Sequence, residues 1–226
     1  MYCILIFLIL LVFINCQVKP HVIDNVPFID QTEKYPTGCE SISTMMCLKY
    51  WEIDITPEQF IDNYLDKGIF FYKNGQLHAP HPSDKFVGSP YDPASYGCYE
   101  PVIERALNKL ISERKENFNV VDLTGVGMDK IKSDYIDNKI PVIFWATMYM
   151  SDYTVGNMWI VPETGEKFQW RGREHCLILI GYDDNNYIFN DPMMGAEYPY
   201  PKERVEKCHK DLYSMAVALV KKNNSI

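Results

Sequence analysis

Residues 175–191 read HCLILIGYDDNNYIFND, and this stretch decides the fold that the sequence predicts. Two apolar runs, at 175–182 and 186–190, flank a turn-forming triplet of two aspartates and an asparagine. Aliphatic and aromatic runs of this length around such a turn are typical of a pair of buried antiparallel strands. The stretch therefore predicts a strand hairpin that begins at His175 and carries Asp191 at its far end.

The segments around this hairpin supply the remaining strands and the helices. Strands are expected where β-branched and aromatic residues cluster, at 120–121, 141–150, 168–170 and 215–220. Helices are expected to begin near Cys39 and after a capping box at Thr56, and to cover 100–115, 128–138 and 202–211. Because helices come first and strands later, the sequence predicts an α+β fold in which N-terminal helices pack on an antiparallel sheet.

One segment between the second and third helices shows no clear periodicity. Residues 69–98 contain four prolines and many aromatic residues, which argues against a helix or a central strand. A long loop in a compact domain is usually functional. We therefore expect this segment to be a loop that shapes a substrate groove.

The composition limits the classes of partner. The chain has 226 residues, of which 47% are hydrophobic, and this is enough to build one full hydrophobic core. Lys and Arg total 22 against 30 Asp and Glu, which gives a net charge of -8, and no stretch is rich in basic residues. Nucleic acid and anionic membrane surfaces are therefore excluded as expected partners.

The N-terminus carries an uninterrupted apolar run at residues 4–14. This run is shorter than the roughly 20 apolar residues that a membrane-spanning helix needs, and its length suits a signal-peptide core. Residues 1–16 are thus predicted to be a signal peptide, whose cleavage point the sequence does not define. Cys16 follows the run, as the lipid-modified cysteine of bacterial lipoproteins does, so that lipidation is the alternative. Either reading predicts a secreted protein or one anchored on the outer side of a membrane.

The cysteine pattern points toward nucleophilic chemistry. Removal or modification of the first two cysteines leaves an odd number of cysteines in the mature chain. The sequence contains no Cys-x-x-Cys pair, which argues against a zinc ribbon and against thioredoxin-type chemistry. Cys39 stands at a predicted helix N-terminus after a loop that ends in glycine. Unpaired backbone N–H groups and the helix dipole favour a thiolate there, so that a lowered pKa is expected.

Three polar residues complete a candidate catalytic group with Cys39. His175 opens a predicted strand, and its separation from Cys39 is within the range of papain-like enzymes. Asp191 or Asn190, at the end of the partner strand, could hold the imidazole and fix its tautomer. Gln31 could donate a hydrogen bond to the oxyanion that forms when a thiolate attacks a carbonyl.

Five short blocks together resemble the exported peptidase-like relatives of the bacteriocin leader-processing cysteine peptidases. They lie at 26–31, 35–41, 90–93, 175–182 and 187–192. The resemblance implies a papain-like peptidase domain over residues 22–220. The leader-processing enzymes are transporter domains that cut after a Gly-Gly pair, whereas this sequence carries an export signal. A different cleavage specificity is therefore expected.

The resemblance also implies a role for each candidate residue. Cys39 would be the nucleophile, His175 the general base and then the general acid, Asp191 the group that orients the histidine, and Gln31 part of the oxyanion hole. The implied reaction is hydrolysis of a peptide or amide bond through a thioester acyl-enzyme, with a peptide or protein substrate and no cofactor or metal.

Several alternatives remain open from the residues alone. A cell-wall peptide hydrolase or a transglutaminase-like acyl transferase would use the same order of Cys, His and polar residue. A non-catalytic module of the same fold would grip a peptide or glycan in its groove. A metalloprotein is a weaker alternative. His78 and His81 lack nearby carboxylate or thiolate ligands, and Cys208 and His209 have no second pair of metal-ligating residues to complete a site.

Overall fold

A large antiparallel sheet lies at the centre of the computed structural model, which describes residues 20–222. The strands, in chain order, are β1 His21–Val22, β2 Lys67–Gly68, β3 Phe71–Lys73, β4 Gln76–His78, β5 Phe86–Val87, β6 Phe118–Asp122, β7 Val142–Thr147, β8 Thr154–Ile160, β9 Lys167–Gly172, β10 Glu174–Tyr182, β11 Asn186–Asp191, β12 Gly195–Pro201 and β13 Ala216–Lys221. The central sheet has the order β12-β11-β10-β7-β13-β6, with β1 paired to β10. All of these pairings are antiparallel.

The helices pack on both faces of this sheet. They are α1 Cys39–Tyr50, α2 Pro57–Asn63, α3 Glu100–Arg114, α4 Met128–Ile131, which continues as a π-helical turn over Lys132–Ile136, and α5 Lys202–Asp211. The capping box expected at Thr56 is present and starts α2. The predicted α+β class, with the helix that carries Cys39 on an antiparallel sheet, is confirmed.

The continuous apolar character of the central strands follows from burial on both faces. In β10, Ile178 and Ile180 belong to the core beneath α1 and α3, whereas Leu177 and Leu179 belong to the core beneath α4 and α5. Side chains alternate across a strand, so that a strand covered on both faces needs apolar residues at every position. This requirement explains why residues 175–191 stand out in the sequence.

The expected loop at 69–98 is corrected by the structure, because part of it forms strands. β3 and β4 make a hairpin that joins β8 and β9 in a four-stranded sheet, and β5 pairs with β2. The hairpin turn is Asn74-Gly75, with φ of 52° and 75°. Two left-handed residues in sequence form the turn type that Asn-Gly favours, and this dipeptide is the signal that the prediction of a loop missed.

Two longer strands also lie where none was predicted. β8 mixes polar and apolar residues, because much of it is exposed in the small sheet. β12 contains Pro199 and Pro201, and it forms the outer edge of the central sheet, where a missing N–H group is tolerated. The strand expected at 141–150 ends at Thr147, after which Tyr149 turns the chain with φ of 58°.

The predicted signal peptide, residues 1–16, lies outside the described residues. Within residues 20–222, no helix combines the length and the hydrophobicity that crossing a bilayer requires. All five cysteines of this part of the chain are buried free thiols, including Cys98 and Cys208.

The buried His209 of α5 makes the stability of the fold depend on pH. Its Nδ1–H donates to the carbonyl of Trp145 at 2.8 Å, its ring stacks on Phe144, and burial lowers its pKa to about 4. The unfolded chain binds a proton near pH 6.5, whereas the native chain does not until about pH 4. This group therefore destabilises the native state progressively as the pH falls from 6.5 toward 4.

We expect the free energy of unfolding to lose roughly 3 kcal/mol from His209 across that interval. Urea unfolding at a series of pH values measures the loss, and His209→Gln should remove most of it. An equally steep acid loss in His209→Gln would assign the effect to other groups.

Candidate active site

The loop before α1 places Cys39 at the first residue of the helix. Gly38 N–H donates to the carbonyl of Tyr35 at 2.9 Å, and the carbonyl of Gly38 accepts the N–H of Ile42 at 2.9 Å. A Cβ added at Gly38 would lie 2.9 Å from the Cβ of Tyr35, so that the tight approach of this turn favours glycine. Cys39 is thereby held at the N-terminus of α1, with 5% of its surface exposed.

His175 and Asp191 form a buried pair at the ends of β10 and β11. His175 Nε2 lies 2.8 Å from Asp191 Oδ1, and both side chains are 1% exposed. Asp191 also accepts the Met193 N–H at 2.9 Å and the Tyr200 hydroxyl at 2.7 Å. Burial by itself would raise the pKa of Asp191, but the hydrogen bonds and the charge of His175 outweigh it and keep the pKa below its usual value.

This pairing fixes the tautomer of His175. An ionised carboxylate can only accept hydrogen bonds, so that Nε2 carries the hydrogen, and in the neutral imidazole the lone pair is on Nδ1. Within residues 20–222, no group is hydrogen-bonded to Nδ1, which is buried. The free lone pair is the arrangement that a general base needs.

Asn190 has a different role from Asp191. Its Nδ2 donates to the carbonyls of Val26 and Pro27 at 3.0 and 3.3 Å, and its Oδ1 accepts the N–H of Glu197. Asn190 therefore ties the N-terminal segment to the sheet. Of the two residues left open by the sequence, the structure pairs Asp191 with the histidine.

The α1 helix lies against β10 beside His175. The Ser43 hydroxyl donates to the carbonyl of Cys176 at 3.0 Å, and the backbone N–H of Cys176 faces the Cys39 thiol. The thiol itself donates to Glu40 Oε2, with 3.3 Å between sulfur and oxygen. In the described residues, no hydrogen bond joins Cys39 Sγ to His175 Nδ1.

The electrostatics at Cys39 differ from the prediction. Burial raises the pKa of the Cys39 thiol well above its usual value, and the carboxyl groups of Glu40 and Glu174 raise it further. The expected lowering by the helix N-terminus is therefore wrong for this arrangement. The prediction counted the dipole and left out the desolvation of the thiolate.

Two acidic residues of the site, Glu40 and Glu174, were not predicted. Glu40 follows Cys39 in the sequence, Glu174 precedes His175, and both side chains are buried. One carboxyl oxygen of each glutamate and Cys39 Sγ all lie within 4.8 Å of one another. Such a spacing could accommodate a metal ion, but Glu40 already accepts the Cys39 thiol and the Cys98 N–H. We interpret these groups as a hydrogen-bonded acid cluster and not as metal ligands.

Gln31 lines the same cavity as Cys39, and its amide is hydrogen-bonded to loop carbonyls. Its backbone N–H donates to the carbonyl of Pro192, which anchors it beside Asp191. Its Nε2 donates to the carbonyls of Tyr35 and Pro36, both at 3.3 Å. To act in an oxyanion hole, this amide would have to exchange one of these long hydrogen bonds for one to the substrate oxyanion.

A cavity of about 420 Å³ opens at Cys39. Gln31, Tyr96, Trp170 and Arg173 are among its lining residues. It combines aromatic walls, one exposed cationic side chain and the Cys39 sulfur, and such a mixture of apolar and polar groups is typical of a ligand pocket.

The comparison with known proteins identifies a family for this chain. Residues 23–217 match the Peptidase_C39 like family, and this stretch includes all four candidate residues. The chain belongs to the C39-like peptidase family. The predicted relationship to the leader-processing cysteine peptidases is thus confirmed, and the family supports a peptidase-type function.

Individual relatives agree with the family assignment. The uncharacterized protein YvpB of Bacillus subtilis (strain 168) is 26% identical over 186 residues, which cover 81% of this chain and 69% of YvpB. The crystal structure of a presumed C39-like peptidase from Bacillus anthracis has a TM-score of 0.77 at 25% identity, covering 92% of this chain and 100% of that one. The predicted fold is therefore also found in a solved structure.

Replacing Asp191 by alanine should release the tautomer of His175. Nε2–H then loses its acceptor, so that the ring hydrogen can move to Nδ1 and the ring is no longer held as a base. We expect the alkylation of Cys39 to slow by at least about tenfold, because the thiol then lacks a positioned proton acceptor. Nitrogen NMR of the imidazole reports the tautomer, and mass spectrometry reports the alkylation.

Asp184→Ala is the matched control, since Asp184 is exposed in the turn between β10 and β11. An unchanged tautomer and an unchanged alkylation rate in Asp191→Ala would contradict the assigned role.

Proposed function

We propose that this protein is a cysteine peptidase, which hydrolyses a peptide or amide bond through a thioester acyl-enzyme. The observation that carries the proposal is the buried His175–Asp191 pair with a free Nδ1, on the strand against which the Cys39 helix packs, together with the cavity that opens at Cys39. Family membership supports the same reaction class.

In the proposed reaction, the Cys39 side chain first turns from Glu40 toward His175. His175 Nδ1 takes the thiol proton, and the sulfur attacks the carbonyl carbon of the substrate. The tetrahedral intermediate collapses as His175 returns the proton to the leaving amine, which leaves a thioester on Cys39. Water then attacks the thioester with His175 as base, and the acid product departs as the thiol regains its proton.

Two donors are proposed for the oxyanion. The backbone N–H of Cys39 lies at the N-terminus of α1, where the first amide hydrogens of a helix lack helical partners. Gln31 Nε2 is the second donor, since its present hydrogen bonds are long and it lines the cavity beside Cys39.

The alternative is a non-catalytic module of the same fold that binds a peptide or glycan. One observation favours it, because burial and two acidic neighbours oppose a thiolate at Cys39. We also propose that the protein acts outside the cytoplasm on a peptide or protein substrate, on the basis of the apolar segment at 4–14.

Substitution of Cys39 separates the two functions. Incubation with a peptide library and analysis by mass spectrometry should show cleavage by the wild type, with a loss of at least about 1,000-fold in Cys39→Ala and His175→Ala. Cys47→Ala is the control, as Cys47 is a buried thiol on the same helix. Peptide binding by wild type and Cys39→Ala alike, with no cleavage, would favour the binding module.

Tyr96 is expected to determine which peptides are accepted. It lies in the segment 69–98, packs on Trp159 and Trp170, accepts a hydrogen bond from Asn157 at 2.6 Å, and lines the cavity. Tyr96→Ala should therefore raise KM several-fold and broaden the cleavage-site profile while kcat changes less.

Tyr72→Ala is the matched control, because Tyr72 is a largely exposed tyrosine of the same segment and does not line this cavity. An unchanged profile in Tyr96→Ala would show that the segment does not shape the substrate groove.

A further inference from the structure

Two carboxyl groups are buried beside the candidate nucleophile. Glu40 is 0% exposed and Glu174 is 4% exposed. They come from different elements, α1 and β10, and they meet at the Cys39 sulfur, where all three groups lie within 4.8 Å of one another. Within residues 20–222, neither carboxyl group forms a salt bridge with a lysine or an arginine.

The backbone around this pair is shaped to accommodate it. Glu40 Oε1 accepts the N–H of Cys98 at 2.5 Å, which fixes the orientation of the carboxyl group. A Cβ at Gly97 would lie 2.5 Å from Glu40 Oε1 and 3.0 Å from Glu174 Oε2. Gly97 has φ of +141°, so that both its conformation and the missing side chain allow the two acids to approach the main chain.

Two neighbouring carboxylates cannot both be ionised at low cost in such a buried site. The pair therefore retains at least one proton at neutral pH. Burial raises the pKa of Glu174 well above its usual value, and Glu40 adds to this shift. Burial also raises the pKa of Glu40, but only to about 7, because hydrogen bonds from Cys98 and Cys39 stabilise its carboxylate and offset part of the rise. Glu40 is thus the member that changes charge near neutrality.

We infer that Glu40 is a proton switch for the Cys39 nucleophile. When Glu40 is neutral, its hydroxyl donates to the sulfur and the thiol proton resides on His175 Nδ1, so that a thiolate is supported. When Glu40 loses its own proton to solvent, the proton on His175 returns to the sulfur, and the carboxylate accepts the resulting thiol hydrogen and holds Cys39 protonated. The inference rests on the proposed function for its biological meaning, but the switch itself is a property of the site without substrate.

The titratable groups around Glu40 determine the sign of the effect. Cys39 lies on its own helix, Glu174, His175 and Cys176 lie on β10, and Cys98 precedes α3. Ionised Glu40 would attract an imidazolium at His175, but its direct contact is with the sulfur, at 3.3 Å. A negative charge in that contact opposes the thiolate more than it assists the imidazolium, because Coulomb interactions weaken with distance.

The pH profile of Cys39 alkylation tests this inference. An ordinary thiol reacts faster with iodoacetamide as the pH rises, since its thiolate fraction grows. For the wild-type protein we expect the opposite between about pH 6 and pH 8, with a fall of at least about tenfold at Cys39. Limiting iodoacetamide and mass spectrometry of the Cys39 peptide measure the rate.

Glu40→Gln should abolish this fall and leave Cys39 reactive throughout, because the amide can still donate to sulfur but carries no charge. Glu100→Gln is the matched control, as Glu100 is a buried glutamate of α3 with a pKa of about 8 that lines a different cavity. This variant should keep the wild-type profile. The wild-type measurement needs no substitution, so that a poorly folded variant does not remove the test.

A rate that rises steadily with pH in the wild type, or a fall that persists in Glu40→Gln, would overturn the inference. The outcome is independent of peptide cleavage. A fall without any cleavage would support the switch and refute the peptidase, whereas cleavage without a fall would leave the peptidase and refute the switch.

Discussion

The buried hydrogen bond between His175 Nε2 and Asp191 Oδ1 is the constraint on which the site depends. This hydrogen bond forms only in the observed register of β10 and β11. The Tyr200 hydroxyl of β12 donates a further hydrogen bond to the same carboxylate. A carboxylate buried to this degree is stable only when its oxygens are fully hydrogen-bonded. One side chain therefore connects three adjacent strands, and the imidazole is left with a single free nitrogen.

The sheet provides the rigidity that this arrangement needs. Its central strands are buried on both faces, so that β10 is held by two cores at once. The Ser43 contact then fixes α1, and Cys39 with it, against the strand that carries the histidine. Side chains that take part in chemistry must be held closely, and here they are carried by a helix terminus and by strand ends and not by a free loop.

The sequence predicted the elements with strong periodicity, and with them Cys39, His175 and Asp191 as candidate residues. Those elements follow from local burial patterns that a single sequence displays. It did not predict the β3–β4 hairpin, although Asn74-Gly75 carries the signal, because the surrounding prolines favoured a loop. It also missed Glu40 and Glu174, since an acid in the first turn of a helix is ordinarily a solvated residue that suits the dipole. Their burial depends on the docking of α1 against β10, which no local pattern shows.

The state of Cys39 is determined by the competition between two electrostatic effects. A helix N-terminus favours an anion by about 0.3–1 kcal/mol, or up to about 2 kcal/mol when partly buried. Removing a charge from water costs several kcal/mol even after relaxation. Desolvation therefore outweighs the dipole, and position at a helix terminus cannot by itself make this sulfur a nucleophile. In the proposed mechanism the compensation comes from groups that change their own charge, namely the imidazole of His175, which can become positive, and the carboxyl group of Glu40, which can become neutral. A buried cysteine can then serve as a nucleophile only while these neighbours hold their protons.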